Sequence, residues 1–356
     1  MSTIAQAALD VTGGVDTHAD THVAAAIDSA GRLLGSAQFP ADQHGYAALL
    51  DWLTGHGRLV EVGVEGTGAY GAGLARHLSA RGVKVVEVDR PDRKTRRFQG
   101  KSDPIDAEAA ARAALAGRAT GTPKTRDGHV EALRALHVAR RSAVKQRAAV
   151  QTQMRTLVVT APEILRRQLR SLTAATFITT CAALTPDPAT AADPATAAMI
   201  ALRGLARRHQ HLSAEITDLD ALIEPLVAAI NPALLAVNGV GPDVAAQLLV
   251  TAGDNPDRLT SDAAFAMLCG VAPLPASSGK TRRYGLNRGG DRDANCALYR
   301  IAMCRLRWNP RTRTYADQRT KQGLSKKEII RCLKRYIARE IFPILTAPRN
   351  DLQVVA

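Results

Sequence analysis

The chain has 356 residues, with 46% hydrophobic and 4% aromatic residues, five cysteines and a formal net charge of +14. This length allows two or three domains, and no apolar run approaches the ~20 residues of a membrane span or has the pattern of a signal peptide. An odd number of scattered cysteines without a CxxC pair argues against a disulfide framework or a zinc site. We therefore expect a cytoplasmic protein with reduced thiols and no membrane partner.

The first part of the chain has the pattern of an α/β domain. Extended runs at residues 22–28 and 33–39 are joined by an Ala-Gly-Arg turn, and they follow a short strand that ends near Asp16. Further strands are predicted at residues 60–65 and 83–88, alternating with helical patterns at 41–55, 71–80 and 105–116. A hairpin followed by alternating strands and helices predicts a mixed sheet covered by helices, and the RNase H-like fold is one of the few that begin in this way.

Four carboxylates in this part of the chain stand where metal ligands are often found. Asp16 and Glu65 end predicted strands, and Asp103 and Asp106 open a predicted helix in KSDPIDAEAA. Such side chains can converge at one edge of a sheet, where oxygen ligands suit Mg²⁺ or Mn²⁺. Two ions about 4 Å apart would activate a nucleophile and stabilise the leaving oxygen of a phosphodiester. Taken singly, each carboxylate could instead cap a helix or lie in a solvated loop.

The middle of the chain has a helical pattern. Apolar residues recur with 3,4 spacing over residues 202–226, with one polar break at His209, and the same phase runs over residues 133–157, where Arg140 and Arg147 interrupt it. This spacing predicts a coiled coil. The intervening TPDPATAADPAT predicts a turn between two antiparallel helices, which could pack on each other or dimerise.

The positive charge lies in the last part of the chain. Residues 278–342 carry 18 Lys and Arg against 5 Asp and Glu, whereas residues 1–125 carry 14 of each. Such one-sided charge favours a nucleic-acid partner, because neutralised phosphates release counterions. The sequence VNGVGP resembles a helix-hairpin-helix turn, in which Gly239 and Gly241 would let backbone N–H groups approach a DNA phosphate, although GxG is also common in ordinary tight turns. Basic helices are predicted at residues 294–307 and 325–342.

A serine-containing loop, APLPASSGKTRRYGLNRGG, comes before the predicted basic helices. A serine beside several basic residues has the groups that phosphoryl transfer needs, because the hydroxyl can attack and guanidinium groups can neutralise charge on the phosphate. The loop could equally bind a phosphate with the serine acting only as a hydrogen-bond donor. The residues concerned are Ser277, Ser278, Lys280, Arg282, Arg283 and Arg288.

Two further groups of residues have open interpretations. His18 and His22 lack a third ligand at a zinc-like spacing, so we expect them in a solvent-facing hairpin. Trp308, Tyr299 and Tyr315 could stack on bases or pack in a core.

From about residue 15 to residue 342, the chain resembles the DEDD transposases of the IS one-ten family of insertion sequences in the order and spacing of its motifs. The motifs are GGVDTHADTH, VGVEGTGAYG, KSDPIDA, NGVGPDVAAQLL and APLPASSGKTRRYGLNRGGDRDAN. The resemblance implies a RuvC-like DEDD domain at 10–125, a coiled-coil linker at 126–230 and a mostly α-helical transposase domain at 231–345. It also implies Ser278 as the nucleophile, with Ser277 as the alternative, and a catalytic, metal-binding tetrad of Asp16, Glu65, Asp103 and Asp106.

The resemblance further implies a mechanism and partners. The serine would hold DNA as a phosphoserine ester, without ATP, while donor and target strands are exchanged. A non-coding RNA would guide the reaction by base pairing, as in other RNA-guided systems. The protein would act in the bacterial cytoplasm, near the nucleoid, as a homodimer or homotetramer whose active sites combine one subunit's carboxylates with another's serine.

Three alternatives remain open from the residues. A RuvC-like structure-specific nuclease would use the same carboxylates with water as the nucleophile. A sugar-kinase or actin-like ATPase would need phosphate loops that the sequence does not convincingly supply. A DNA-binding scaffold without activity would be indifferent to the loss of Asp16 or Ser278.

Overall fold

The computed structural model describes residues 9–88, 102–277 and 284–347, in two compact units. One unit is formed by Met1–Gly128 with Ala252–Thr260, and the other by His129–Thr251 with Ser261–Ala356. Throughout the described ranges, every helix is too short or too polar to cross a lipid bilayer.

The first unit contains a five-stranded mixed sheet. Its strands are β1 (Asp10–Thr17), β2 (Thr21–Asp28), β3 (Leu33–Pro40), β4 (Arg58–Glu65) and β5 (Val85–Val88). They lie in the order β3-β2-β1-β4-β5, with antiparallel pairing from β3 to β1 and parallel pairing from β1 to β5. This mixed α/β arrangement is compatible with the predicted RNase H-like fold.

Helices cover both faces of this sheet. Side chains alternate between the two faces of a strand, and Val15 and Val64 pack on the face covered by α1 (Gln43–Gly55) and α2 (Ala72–Ala80). On the other face, Val23 and Ala25 of β2 pack against Ala107 of α3 (Asp103–Leu115). The apolar alternation of the strands therefore creates two layers of core, one on each side of the sheet.

The second unit is built around two long helices, α4 (His129–Thr160) and α7 (Pro194–Ile230). Arg140 of α4 bonds Asp220 of α7, and Arg147 donates to Ser213 at 3.4 Å, so a step forward along one helix is matched by an equal step back along the other. The helices are therefore antiparallel, and the arginines that interrupt the apolar pattern meet polar partners. The chain between them is more than a turn, because it also forms α5 (Glu163–Leu169), α6 (Ala174–Ala182) and a 3₁₀ turn (Pro188–Thr190).

The rest of the second unit is mostly helical. The remaining elements are α8 (Pro232–Leu235), α9 (Pro242–Ala252), a 3₁₀ turn (Pro256–Arg258) that belongs to the first unit, α10 (Asp262–Leu268), β6 (Leu274–Pro275), β7 (Tyr284–Gly285), α11 (Arg292–Trp308), α12 (Pro310–Lys321) and α13 (Lys326–Thr346). The basic helices predicted near the end of the chain are present as α11 and α13, but α12, which lies between them, was not predicted.

Candidate active site

Two of the predicted carboxylates lie side by side at one end of the sheet. β1 and β4 are parallel neighbours in which Val15 pairs with Val64, so Asp16 and Glu65 follow at matching positions. The Thr17 hydroxyl donates to the Glu65 carbonyl at 2.8 Å and fixes this register at the strand ends. Both acidic residues are buried. Because they follow the core valines by one residue, their side chains lie on the opposite face of the sheet, which α3 covers.

Glycines let α3 come unusually close to that face. A Cβ atom at Gly14 would lie only 2.2 Å from the Ala107 carbonyl oxygen and from the Ala111 nitrogen. A Cβ atom at Gly63, on the neighbouring strand, would lie 2.7 Å from the Ala110 carbonyl oxygen. Real Cβ atoms do not approach backbone so closely, so any other residue at these positions would push the helix away from the sheet. The close contact is what holds the start of α3 beside the carboxyl ends of β1 and β4.

The start of α3 contributes the other two carboxylates. Asp103 and Asp106 both lie in the first turn of the helix, where the helix dipole favours negative charge. Asp106 is buried and Asp103 is half-exposed. Asp103, Asp16 and a residue that the tetrad did not include, His18, form a tight group whose ligand atoms lie within 4.8 Å of one another. The group that meets this limit does not include Glu65 or Asp106.

The electrostatics of Asp16 reflect this crowding. Burial raises the pKa of the Asp16 carboxyl above its ordinary value, the imidazole of His18 opposes this, and the carboxylates of Asp106 and Asp103 raise the pKa further. A buried carboxylate among other carboxylates is costly to ionise unless positive charge compensates it. The donor set therefore fits a divalent cation with a preference for oxygen ligands, such as Mg²⁺ or Mn²⁺.

The prediction of a solvent-facing hairpin holds in part for His18, which lies in the turn between β1 and β2 with its side chain 42% exposed, and it is wrong for His22. His18 lies with its Nε2 atom 3.2 Å from Asp16 Oδ2 and 3.4 Å from Asp103 Oδ1, inside the acidic group. His22 is completely buried and stacks on Tyr46, with ring centroids 5.6 Å apart. The sequence already indicated that His18 and His22 would differ in burial. They are four residues apart across a tight turn between antiparallel strands, so their side chains do not lie in the same environment.

The predicted serine nucleophile belongs to the connection between β6 and β7. These two-residue strands pair antiparallel, Leu274 with Gly285 and Pro275 with Tyr284, so they form the base of a hairpin. Ser277 is exposed at its near end. Four of the predicted residues, Ser278, Lys280, Arg282 and Arg283, lie outside the described residues, whereas Arg288 is described and exposed.

The chain flanking this hairpin is held tightly within the second unit. Gly270 and Gly290 both have positive φ, and a Cβ atom at either would lie 2.5 Å from a backbone carbonyl oxygen. Asn295 donates to the carbonyls of Cys269 and Gly270 at 3.0 and 2.9 Å. The Asn295 side chain in turn accepts a 2.7 Å hydrogen bond from the buried ammonium of Lys334, and burial lowers the pKa of that lysine. The sequence analysis missed Asn295 and Lys334, which support the loop without belonging to it.

Comparison with known proteins identifies the family of the chain. A family model described as Transposase, of the DEDD IS110 type, matches residues 13–161, and one described as Transposase IS116/IS110/IS902 family matches residues 231–317. The chain belongs to the IS110 (IS one-ten) family of insertion-sequence transposases. The family predicted from the sequence motifs is thereby confirmed.

Two curated relatives of this IS110-family chain are proteins of insertion elements. The insertion element IS110 uncharacterized 43.6 kDa protein of Streptomyces coelicolor is 32% identical over 139 residues, which are 38% of this chain and 33% of the relative. The insertion element IS900 uncharacterized 42 kDa protein of Mycobacterium paratuberculosis is 30% identical over 140 residues, 37% of this chain and 34% of the relative. The chain thus matches about a third of the length of each of these relatives.

The glycine-rich turn of this IS110-family chain lies between α8 and α9. Gly239 has φ +83°, in the region that favours glycine, and the Arg305 side chain donates to the Asn238 carbonyl at 2.8 Å. Gly241 has open space where a Cβ atom would lie, so packing does not require glycine there. That space would admit a close ligand, and the helix-hairpin-helix interpretation remains a prediction.

The three aromatic residues proposed to stack on bases lie on helices near the end of the chain. Trp308, at the end of α11, is 67% exposed, and the guanidinium of Arg307 lies 4.9 Å from its ring centroid. Tyr299 is also exposed, whereas Tyr315 is half-buried and packs edge-on against Tyr336 at 5.8 Å. Tyr315 is therefore engaged with a neighbouring aromatic ring at the surface, and neither Tyr315 nor Trp308 lies in the core.

Proposed function

We propose that the protein is a DNA transposase that cleaves and rejoins DNA to move an insertion sequence. The observation that carries this proposal is the meeting of Asp16 with Asp103 of α3 at the end of the sheet where Glu65 also lies. The close approach of α3 at Gly14 and Gly63 makes this possible. Family membership supports the same activity. DNA is accordingly the substrate, as both donor and target.

The acidic residues would hold Mg²⁺ or Mn²⁺, with Asp16, Glu65, Asp103 and Asp106 as ligands. When bound, such ions stabilise charge on the scissile phosphate and favour attack on it. The buried Asp16 and Asp106 provide fixed ligands, while the half-exposed Asp103 lies where substrate could enter. Carboxylates that hold a metal ion are not free to attack the phosphate, so in this proposal the nucleophile comes from another residue or from water.

We assign that role to Ser278, with Ser277 as the alternative. The serine oxygen forms a bond to the phosphorus, the bond from phosphorus to the 3′ oxygen breaks, and the proton lost by serine is balanced by the proton gained by the leaving 3′-hydroxyl. Attack by a 3′-hydroxyl on the phosphoserine reverses these changes and reseals the strand. The number of phosphate ester bonds is conserved, which removes any need for ATP.

Binding of nucleic acid would depend on the C-terminal part of the chain. Residues 278–342 carry most of the net positive charge, and Lys280, Arg282, Arg283 and Arg288 are the proposed phosphate contacts. The turn at Gly239 and Gly241 would contact the backbone of DNA. A guide-type non-coding RNA would supply sequence recognition, and a homodimer or homotetramer would be the active form.

Trapping of a covalent protein–DNA adduct tests the proposal. The full chain is produced in cells that also carry the DNA flanking its gene, which would encode the guide RNA. The protein is then incubated with Mg²⁺ and a DNA substrate labelled on the fragment that keeps the scissile phosphate. We expect a labelled adduct on denaturing gels with the wild type and with Ser277→Ala, and none with Ser278→Ala, which still binds DNA. Asp16→Asn should lose both adduct and cleavage.

Other outcomes would change the assignment. Cleavage by the wild type without any adduct would contradict the serine mechanism and favour a nuclease that uses water. An adduct that survives in Ser278→Ala but not in Ser277→Ala would move the nucleophile by one residue. Activity unaffected by Asp16→Asn would reject the acidic site altogether.

A further inference from the structure

We propose that His18 is a nitrogen ligand of the divalent metal, in addition to the four carboxylates. The inference rests on the metal site of the proposed function, and it adds a donor of a different chemical kind to a set otherwise made of oxygen. His18 is the first residue after β1, and its backbone N–H donates to the Thr21 carbonyl at 3.0 Å, which closes the turn into β2. The turn thus fixes the backbone from which the imidazole extends over the acidic group.

The distances around His18 match those between ligands of one ion. Ligand atoms bound at about 2.1 Å to an octahedral metal stand about 3 Å apart when they occupy neighbouring positions. The Nε2 atom of His18 lies 3.2 Å from Asp16 Oδ2 and 3.4 Å from Asp103 Oδ1. Both distances are within a few tenths of an ångström of that spacing, and the ligand atoms of all three residues lie within 4.8 Å of one another.

The exposure of the three residues supports the same role. Asp16 is only 10% exposed in its side chain, whereas His18 and Asp103 are 42% and 47% exposed. An ion held by them would be anchored on the sheet side and open on the solvent side, where a phosphate oxygen and water could complete its coordination. Core packing does not explain the imidazole at this position, since the His18 side chain is half-exposed, in contrast to the fully buried His22.

A nitrogen ligand changes which metal is preferred. Mg²⁺ favours carboxylate, carbonyl and water oxygens, whereas imidazole is a better ligand for transition metals, and Mn²⁺ accepts both kinds. His18 should therefore raise the affinity for Mn²⁺ more than the affinity for Mg²⁺. Without His18 the remaining carboxylates would form an all-oxygen site that distinguishes the two ions less.

The experiment uses the full chain with Mn²⁺ alone and reads the nitrogen ligand directly. Electron spin-echo envelope modulation of bound Mn²⁺ detects a coordinated ¹⁴N nucleus, and isothermal titration gives the affinities for Mn²⁺ and Mg²⁺. The variants are His18→Gln, the exposed His44→Gln as a matched loss of one imidazole, and Asp16→Asn.

We expect a ¹⁴N signal in the wild type and in His44→Gln, and its loss in His18→Gln. Mn²⁺ affinity of His18→Gln should fall by about 10- to 100-fold, the range seen when groups that support a metal site are removed, with a smaller fall for Mg²⁺. Asp16→Asn should weaken the binding of both ions.

Two results would overturn the inference, and they can be told apart. Binding of Mn²⁺ that depends on Asp16 but gives no ¹⁴N signal, or a signal that persists in His18→Gln, would leave the acidic metal site intact and reject His18 as a ligand. In that case His18 only lies within ion-pair distance of the two carboxylates. Binding that is indifferent to Asp16→Asn would reject the metal site itself, and the role of His18 with it.

Discussion

Replacement of Gly14 by alanine tests whether the close packing of α3 on the sheet sets the geometry of the acidic site. The new Cβ atom would lie 2.2 Å from backbone atoms of Ala107 and Ala111, and neither is the flexible end of a side chain. A normal contact needs at least about 3.2 Å, so α3 must retreat by about 1 Å. Asp103 and Asp106 would move with the helix, away from Asp16.

The expected effect on activity is larger than the effect on folding. Overpacking of this kind costs about 1–3 kcal/mol of stability. A displacement of about 1 Å at reacting groups can cost about 100-fold in rate. Gly63→Ala creates a milder clash, at 2.7 Å from the Ala110 carbonyl oxygen, and should have an intermediate effect. Gly55→Ala is the matched control, because nothing lies within 4 Å of its Cβ position.

The assay measures strand cleavage and thermal unfolding of the three variants side by side. Activity should fall in the order Gly55→Ala, Gly63→Ala, Gly14→Ala, with Gly55→Ala close to the wild type. The graded series separates misplacement from unfolding, since Gly63→Ala should retain its fold when Gly14→Ala does not. A folded Gly14→Ala protein with wild-type cleavage would refute the argument that this contact positions the acids.

Two further predictions concern the second unit. Asp243 accepts hydrogen bonds from His137, Arg300 and Arg140, which hold the pKa of its carboxyl well below the ordinary value. The ionised carboxylate therefore stabilises the folded protein fully above the unfolded pKa of about 3.9, and this contribution is lost as pH falls through the lower pKa of the folded state. Asp243→Asn should therefore destabilise by about 3 kcal/mol at pH 7 in urea unfolding, with the gap to wild type narrowing below about pH 4, whereas the exposed Asp218→Asn should change little; a gap independent of pH would contradict this. Trp308, one of two tryptophans, should stack on unpaired bases, so its emission in a Trp52→Phe background should be quenched by single-stranded DNA or RNA, and Trp308→Ala should weaken that binding by about 1–3 kcal/mol. Emission unchanged at saturating single strand would show that the ring does not contact bases.

Much of the first unit could be predicted because its signals are local. Strand alternation placed β1 to β5 within about two residues of their observed bounds, and a parallel β1–β4 pair necessarily brings Asp16 and Glu65 to the same end of the sheet. The meeting of Asp103 with Asp16 was expected on the same grounds. The role of Gly14 was missed, although two successive glycines in a buried strand indicate a close backbone approach.

Other features could not be predicted because periodicity does not report contacts between distant segments. The side chain of Asn255 bonds the backbone of Pro123 and Thr125, which places residues 252–260 with the first unit. The helix α12 has no buried residue, so it lacks the apolar spacing by which a helix is recognised. In His18, the residue type was noticed, but only the structure shows which carboxylates it faces.

The division of charge along the chain follows from the chemistry proposed for it. A cluster of carboxylates that can hold a divalent ion also repels the phosphate it must act on, and residues 1–125 carry no net positive charge to offset this. Screening in physiological salt limits the repulsion by the acidic cluster to about 8–10 Å. Cationic side chains outside that distance can therefore attract DNA without being offset by the carboxylates. The excess of cations at residues 278–342 can supply that attraction. In the proposed chemistry this basic segment thus supplies both the phosphate contacts and the serine, whereas the first part of the chain supplies the carboxylates.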